Sequence, residues 1–163
     1  MAEHENLLRA NTSLVLGFYR AFDERKIDQA IALLSANFTA HLAGIPETLG
    51  LPEFQAFGLS FYTAFTQGEH TFTEIVTTED RVITSGTFCT LHSGPFQGLP
   101  ATHQRVSIEV MHIDRLENGK IAEHWGQGHA LGLLQQLGLI IVPGPKFVSQ
   151  VIKHKTSNIF SPK

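Results

Sequence analysis

The apolar residues change their spacing near Gly68, and this change constrains the fold more than any other feature of the sequence. Before it they recur at intervals of three and four, which predicts helices over about residues 4–24 and 27–35 and a third that begins at Pro52. After it come four segments rich in Thr, Val, Ile and Phe, which strands favour. These strands are expected over residues 70–79, 81–92, 103–116 and 120–127. Helices followed by antiparallel strands predict an α+β domain with helices packed on one face of a curved sheet.

Shorter signals complete the pattern. A short strand is expected over residues 37–44. The pair Asn118-Gly119 is typical of a two-residue hairpin turn between the last two strands. The apolar segment 130–138 predicts a closing helix that Gly138 ends.

The length of the chain, 163 residues, fits a single domain. We place that domain at residues 1–138. Residues 139–163 mix apolar and basic side chains around two prolines. They predict an extension that is either partly helical over 146–154 or a flexible tail.

Charge and composition exclude several functional classes. The net charge is −3 and the 12 Lys and Arg residues are scattered, so we expect no nucleic-acid partner. The single cysteine, Cys89, leaves no internal disulfide and no cysteine pair for zinc. No apolar run reaches the roughly 20 residues that a membrane helix needs, and the N-terminus lacks the pattern of a secretory signal. A cytoplasmic protein without a membrane partner is therefore expected.

Three stretches of the sequence carry a resemblance to a known family. They are FYRAFDERKIDQAIALLSANFTAH at residues 18–41, HSGPFQGLPATHQRVSIEVMHIDRLENGKIAEHW at 92–125 and ALGLLQQLG at 130–138. Over about residues 5–138 the chain resembles the SnoaL-like polyketide cyclases, a branch of the cone-shaped NTF2-like α+β superfamily. The resemblance implies a curved antiparallel or mixed sheet with the N-terminal helices packed on its concave face.

The resemblance also implies a function. It implies a deep pocket between sheet and helices, dimers or tetramers formed through the sheet, and no cofactor. Characterised members of the family close a ring in an aromatic polyketide ester by an intramolecular aldol reaction, with an Asp a few residues after the closing Trp as the acid/base. In this chain His129 stands where that Asp is expected, and no carboxylate lies between Trp125 and Gly138.

A histidine suits this chemistry, because aldol closure needs a base for a proton next to a carbonyl, and a free imidazole titrates near pH 6.5. We expect His129 to be the base or proton shuttle; the alternative is an exposed or capping residue at the start of a helix. Alternation places His112 on the apolar face of its strand, as an auxiliary donor or as a buried, hydrogen-bonded histidine. Glu109, on the other face, is the carboxylate to consider if a bulge reverses that alternation.

Four further residues are expected at the pocket. Trp125 offers a flat apolar wall with one N–H donor, and a core anchor is the compatible alternative. His41 and His92 end strands near the mouth of the cone, where a surface role is the alternative. Tyr19 offers a phenol from the first helix or packs there. We expect no metal site, because the His-Glu-x-x-His pattern is missing.

We interpret the chain as a cofactor-independent lyase or isomerase with aldol-type acid/base chemistry on an apolar, cyclic or polyketide-like carbonyl compound. Asp114 and Arg115 are adjacent and point to opposite faces, which disfavours the acid–arginine–acid site of the epoxide-hydrolase variant of the fold. The alternatives are a non-catalytic protein that binds a small molecule and an oligomerisation module with a filled interior. A homodimer or homotetramer is expected, because the helices leave the second apolar face of the sheet uncovered.

Overall fold

The structure is a computed structural model that describes residues 1–139, 142 and 144–150. Its helices and strands follow one another along the chain as α1 (Ala2–Asp23), α2 (Ile27–Ile31), β1 (Leu34–Leu42), β2 (Leu49–Gly50), α3 (Leu51–Ala64), β3 (Phe65–Thr77), β4 (Arg81–His92), β5 (Arg105–Glu117), β6 (Lys120–Gly128) and α4 (Ala130–Gln136). Helices come first and long strands follow, which confirms the predicted α+β class.

The six strands form one curved, mixed sheet in the order β2-β1-β6-β5-β4-β3. Strand β1 runs parallel to β6, and the other neighbouring strands are antiparallel. Helices α1 and α3 cover one face, where Phe18 and Phe22 of α1 pack against Phe54 of α3. The predicted NTF2-like arrangement, with the N-terminal helices on the concave face, is therefore confirmed.

The second helix is shorter than its apolar spacing predicts. It ends at Ile31, and β1 begins at Leu34, inside the expected helix over 27–35. Leu34 lies opposite Ile121 of β6, and the Ile121 N–H donates to the carbonyl of Leu33 at 3.0 Å. Pairing with a strand that is distant in sequence therefore overrides the local helical pattern.

Two further elements depart from the expected pattern. Strand β2 is a two-residue pairing where no strand was expected, and its Leu49 lies opposite Ala40. Strand β3 begins at Phe65, immediately after α3, rather than at residue 70. The longer strand brings the start of β3 under the helices, where Phe65 is fully buried.

A bulge in the β5–β6 hairpin decides which side chains of β6 face the helices. Beside the turn at residues 118–119, Leu116 pairs with Ile121, but one step further Arg115 pairs with Glu123. One extra residue of β6 is accommodated between these pairs. Because successive side chains in a strand point to opposite faces, the bulge reverses the facing of the rest of β6 relative to a regular hairpin.

Beyond α4, the structure describes a small part of the predicted extension. Residues 145–150 are helical and exposed, and they overlap the helix expected over 146–154. Residues 140, 141, 143 and 151–163 lie outside the described residues, so the domain boundary at residue 138 and the form of the extension stay predictions. Among the helices that the structure describes, none is long and apolar enough to cross a membrane.

Candidate active site

A cavity of about 420 Å³ lies between the concave face of the sheet and helices α1 and α3. This volume is within the usual range of small-molecule sites. The exposed lining residues Gly44, Gln97 and Gly128 mark its mouth, and its walls are largely aromatic and aliphatic. The phenols and imidazoles among its lining residues are those of Tyr19, Tyr62, His70, His112 and His124.

A buried chain of hydrogen bonds joins Tyr19, Asp114 and His124 at the wall of this cavity. The Tyr19 hydroxyl donates to Oδ2 of the fully buried Asp114 at 2.8 Å, and Nδ1 of His124 lies 2.8 Å from Oδ1. A carboxylate that accepts from Nδ1 fixes the proton there, so Nε2 of His124 carries the lone pair. Burial and the Asp114 charge raise the pKa of the Tyr19 phenol well above its ordinary value, so this hydroxyl stays a donor.

Gly126 leaves space beside the free nitrogen of His124. Both residues line the cavity from the same face of β6. A Cβ at Gly126 would stand 2.8 Å from Nε2 of His124 and 3.0 Å from Cδ2 of Leu42. A larger residue would push the imidazole away or cover it, so glycine keeps Nε2 accessible.

His112 lies at the centre of the polar side chains. Its ring stacks on Tyr19 with 4.8 Å between centroids, and it lies 5.5 Å from the ring of His124. Its Nδ1 is 3.3 Å from Oγ1 of Thr84. Burial, followed by the neighbouring His124 and His70, lowers the pKa of His112 well below its ordinary value. His112 is therefore a neutral imidazole, able to donate one hydrogen bond.

A second histidine–carboxylate pair borders the same cavity. Nδ1 of His70 lies 2.7 Å from Oδ1 of Asp23, and the backbone N–H of His70 donates to Oδ2 of Asp23 at 2.9 Å. Asp23 follows Tyr19 by one turn of α1, so both polar groups come from one face of that helix. Within residues 1–139, 142 and 144–150, no three His, Cys, Asp or Glu side chains converge as they would around a metal ion.

The structure brings two of the six predicted site residues to the cavity. Tyr19 and His112 line it, and the alternation along β5 turns Glu109 outward as expected. Trp125 and His41 lie together on the opposite face of the sheet, with their rings stacked 3.8 Å apart, and neither lines the cavity.

The bulge accounts for the position of Trp125. In a regular hairpin Trp125 would lie opposite His112 and share its inward face. With one residue inserted, it lies opposite Ile113, on the outer face, and His124 takes the inward position opposite Asp114.

The two remaining predicted residues also lie outside the cavity lining. His129 is the N-cap residue of α4; its side chain is 55% exposed, and its Nδ1 lies 3.6 Å from Oε2 of Glu109 on the outer face. Its role as the base stays a prediction, and the cavity geometry favours other groups. His92 is fully buried at the end of β4, where its ring stacks on Phe65 and Nδ1 lies 3.0 Å from Oγ1 of Thr102.

Sequence reasoning missed Asp114, His124 and the Asp23–His70 pair. The alternation that turns His112 inward also turns Asp114 inward, so a signal for this carboxylate was present. The inward position of His124 depends on the bulge, which no pattern of residues in the sequence predicts. Asp23 and His70 are 47 residues apart, and only the packing of α1 against β3 joins them.

Comparison with known families places this geometry in context. The model of the SnoaL-like polyketide cyclase family matches residues 13–137, which is most of the chain. No curated protein matches the sequence.

Several solved structures share the fold. AclR from Streptomyces galilaeus, a candidate hydroxylase, has a TM-score of 0.75 and 24% identity, covering 82% of this chain and 99% of its own. IdmH from Streptomyces antibioticus, a candidate polyketide cyclase, has a TM-score of 0.72 and 23% identity, covering 79% and 99%. An LEH-like epoxide hydrolase from M. tuberculosis has a TM-score of 0.62 and 16% identity, covering 83% and 91%. These neighbours share one fold, and different activities are ascribed to them.

Proposed function

Because the chain belongs to the SnoaL-like polyketide cyclase family, we propose that it is a cofactor-independent lyase or isomerase of apolar, cyclic or polyketide-like carbonyl compounds. The observation that carries this proposal is the buried Tyr19–Asp114–His124 chain, whose free imidazole nitrogen adjoins an apolar cavity. His124 takes the base role for which the sequence suggested His129.

The reaction begins with removal of a proton from carbon. Nε2 of His124 accepts the proton from the carbon next to a substrate carbonyl, and the C–H electron pair forms an enolate. Asp114 holds the ring in the required tautomer and stabilises the imidazolium that results. Tyr19 keeps the second carboxylate oxygen occupied, so that Asp114 stays oriented towards His124.

The enolate then has two possible fates within the same cavity. If a second carbonyl of the substrate is within reach, the enolate carbon bonds to it, the C=O π pair becomes an alkoxide, and one proton completes an aldol product. If the substrate instead carries a C=C bond conjugated with the enolate, return of the proton to the far carbon of this dienolate moves the double bond and completes an isomerisation. His112, a neutral donor beside both Tyr19 and His124, supplies a hydrogen bond to the enolate oxygen.

The test uses a small probe with the required chemistry. This probe is the triketone made from a methyl-substituted cyclic dione and methyl vinyl ketone. In the triketone, a carbon next to the side-chain ketone can bond to the carbonyl carbon of a ring ketone. In D₂O, NMR follows loss of the α-protons, and product analysis follows ring closure. We expect His124→Gln to slow α-proton exchange by roughly 100- to 10,000-fold.

Two further variants make this result specific. His4→Gln is the matched control, because His4 pairs with Glu79 on the exposed surface, 3.3 Å away. His129→Gln separates the two candidate bases: loss of exchange in this variant but not in His124→Gln would return the base role to His129. Urea unfolding of each variant checks that a loss of exchange is not a loss of fold.

The same experiment distinguishes the non-catalytic alternative. The absence of a carboxylate after Trp125 and the apolar lining are the features that favour a binding protein. Such a protein would shift the NMR signals of the triketone saturably while leaving its α-protons unexchanged. That outcome in the wild-type protein would contradict the enzymatic proposal.

We also propose that the protein associates through the outer face of the sheet, as a homodimer or homotetramer. An outer row of side chains crosses five strands in register: His41, Trp125, Ile113, Ile83 and Val76. Trp125 is 43% exposed and Val76 is 54% exposed. A second subunit would cover this largely apolar row, which no helix of the described chain covers.

A further inference from the structure

We propose that His70, held by Asp23, is a second acid/base group of the cavity and acts on a different substrate atom from His124. The proposal rests on the proposed function and deepens it, because it divides the reaction between two imidazoles. His124 removes the carbon-bound proton, and His70 delivers a proton to the oxygen that becomes the alkoxide. It therefore requires a substrate with two carbonyl groups that reach both histidines at once.

His70 is held in a fixed position. Asp23 binds it at two points, the ring Nδ1 and the backbone N–H, at 2.7 and 2.9 Å. The ring cannot turn without breaking the first contact, and its strand cannot shift without breaking the second. The other ring nitrogen, Nε2, does not contact Asp23, and the ring lines the cavity. When protonated, the ring forms an ion pair with Asp23.

The two histidines lie on different strands of the sheet, with a third ring between them. His124 is on β6 and His70 is on β3, with β5 and β4 between them. The ring of His112 lies between the two, 5.5 Å from His124 and 5.9 Å from His70 between centroids. Two acid/base groups set apart by one intervening ring suit two atoms of one ligand better than a single atom.

The residues that support the two histidines both come from α1. Tyr19 orders Asp114, and thereby His124, from one turn of the helix, and Asp23 orders His70 from the next turn. One rigid helix therefore sets the distance between the two histidines, which proton transfer at two fixed substrate atoms requires.

The proton balance of the proposed cycle closes. The cycle starts with neutral His124 and protonated His70. His124 takes the α-proton, the new C–C bond forms, and the electron pair of the second carbonyl becomes an alkoxide. Nε2–H of His70 gives its proton to that alkoxide, leaving a neutral hydroxy ketone. Water then carries a proton away from His124 and supplies one to His70, so no net proton is gained or lost.

The two steps can be measured separately with the cyclic triketone. In D₂O, exchange of the α-protons reports the first step, and formation of the bicyclic hydroxy ketone reports the second. We expect His70→Gln to retain exchange within about twofold of wild type while ring closure falls roughly 100-fold or more. His124→Gln is expected to lose both. Asp23→Asn is expected to slow ring closure less than His70→Gln, because the imidazole stays while its support is weakened.

Each outcome of these measurements either supports or overturns the proposed roles of His124 and His70. Equal losses of exchange and closure in His70→Gln, or no loss of either, would overturn the division of labour. Ring closure that survives in His70→Gln but not in His124→Gln would assign both steps to His124. Absence of exchange in wild type would overturn the proposed function itself, which is a different observation from failure of closure alone. His4→Gln serves as the surface-histidine control, and urea unfolding of Asp23→Asn measures how far the pair supports the fold.

Discussion

His112 illustrates how burial sets the chemistry of a single side chain. It is 8% exposed, its ring stacks on Tyr19, and its hydrogen-bonding partner is the neutral hydroxyl of Thr84. Burial and the nearby histidine rings lower its pKa, so the folded protein resists its protonation. The neutral ring serves as a donor in the cavity, and the same property ties protein stability to pH.

We expect His112→Gln to reduce the loss of stability in mild acid. The unfolded chain takes up a proton on His112 below about pH 6.5, whereas the folded chain does not until a much lower pH. Wild type therefore loses up to about 1.4 kcal/mol of unfolding free energy per pH unit from this residue as the pH falls below that point. Urea unfolding of both proteins between about pH 7.5 and pH 5 measures the difference.

The difference in stability between His112→Gln and wild type should grow in favour of the variant as the pH falls. A difference that stays constant with pH would show that His112 titrates alike in the folded and unfolded states. His4→Gln, which removes an exposed ring, is the comparison for loss of one histidine.

At the scale of single elements, strands β3 and β4 approach each other closely at Gly86, where no larger residue fits. The register of the two strands shifts between Phe72 and Glu74. Opposite this irregularity, a Cβ on Gly86 would stand 2.0 Å from the carbonyl oxygen of Thr71 and 2.8 Å from Cα of Phe72. Both are backbone atoms that cannot swing aside, so Gly86 is required by the geometry of the strand pair.

We expect Gly86→Ala to destabilise the protein by about 1–3 kcal/mol, as overpacking against a fixed neighbour does. Gly17→Ala, within α1, is the matched control. The new Cβ would meet only Cδ1 of Leu33, at 4.0 Å. That substitution is expected to stabilise by about 0.5–1 kcal/mol through helix propensity. Urea unfolding would contradict the argument if the two alanines changed stability in the same direction.

The helices and strands and their order follow largely from the apolar spacing of the sequence. The face of the sheet to which a side chain points also depends on bulges in the strand pairing. The limits of β4 agree with the prediction, because its alternation is unbroken and a turn precedes it. The end of α2 was not predictable, since it depends on pairing between β1 and the distant strand β6. The facing of β6 was not predictable, since it depends on the bulge in the β5–β6 hairpin. For the site, the sequence pattern placed Tyr19 and His112 at the pocket, and both line the cavity, while their chemical roles stay predictions. It did not place His124 on the inward face.

At the scale of the whole molecule, the two faces of the sheet present different surfaces. The concave face carries the cavity, and the outer face carries the outer row through Trp125 and Ile113. Met111 lies beside that row and is 51% exposed. Opposite faces allow association to bury apolar surface without closing the cavity.

We expect Met111→Glu to shift the proposed assembly towards monomer, because it places a charge within the apolar face that a second subunit would cover. Leu59→Glu is the matched control: Leu59 is 47% exposed on α3, away from the outer face of the sheet. Sedimentation velocity measures all three proteins. A monomeric wild type, or dissociation by both substitutions alike, would contradict association through the sheet.

The sheet is open, so within the described residues each of its two outermost strands has one side without a partner strand. Strand β2 offers only two residues, Leu49–Gly50, to a neighbouring molecule. Strand β3 is longer, but its register shifts twice, and Glu69 and Glu74 stand exposed along it. An unbroken, uncharged strand of that length would be a template for addition of further chains and growth of insoluble fibres. The irregular pairing and the exposed carboxylates of β3 therefore disfavour such addition at this edge of the sheet.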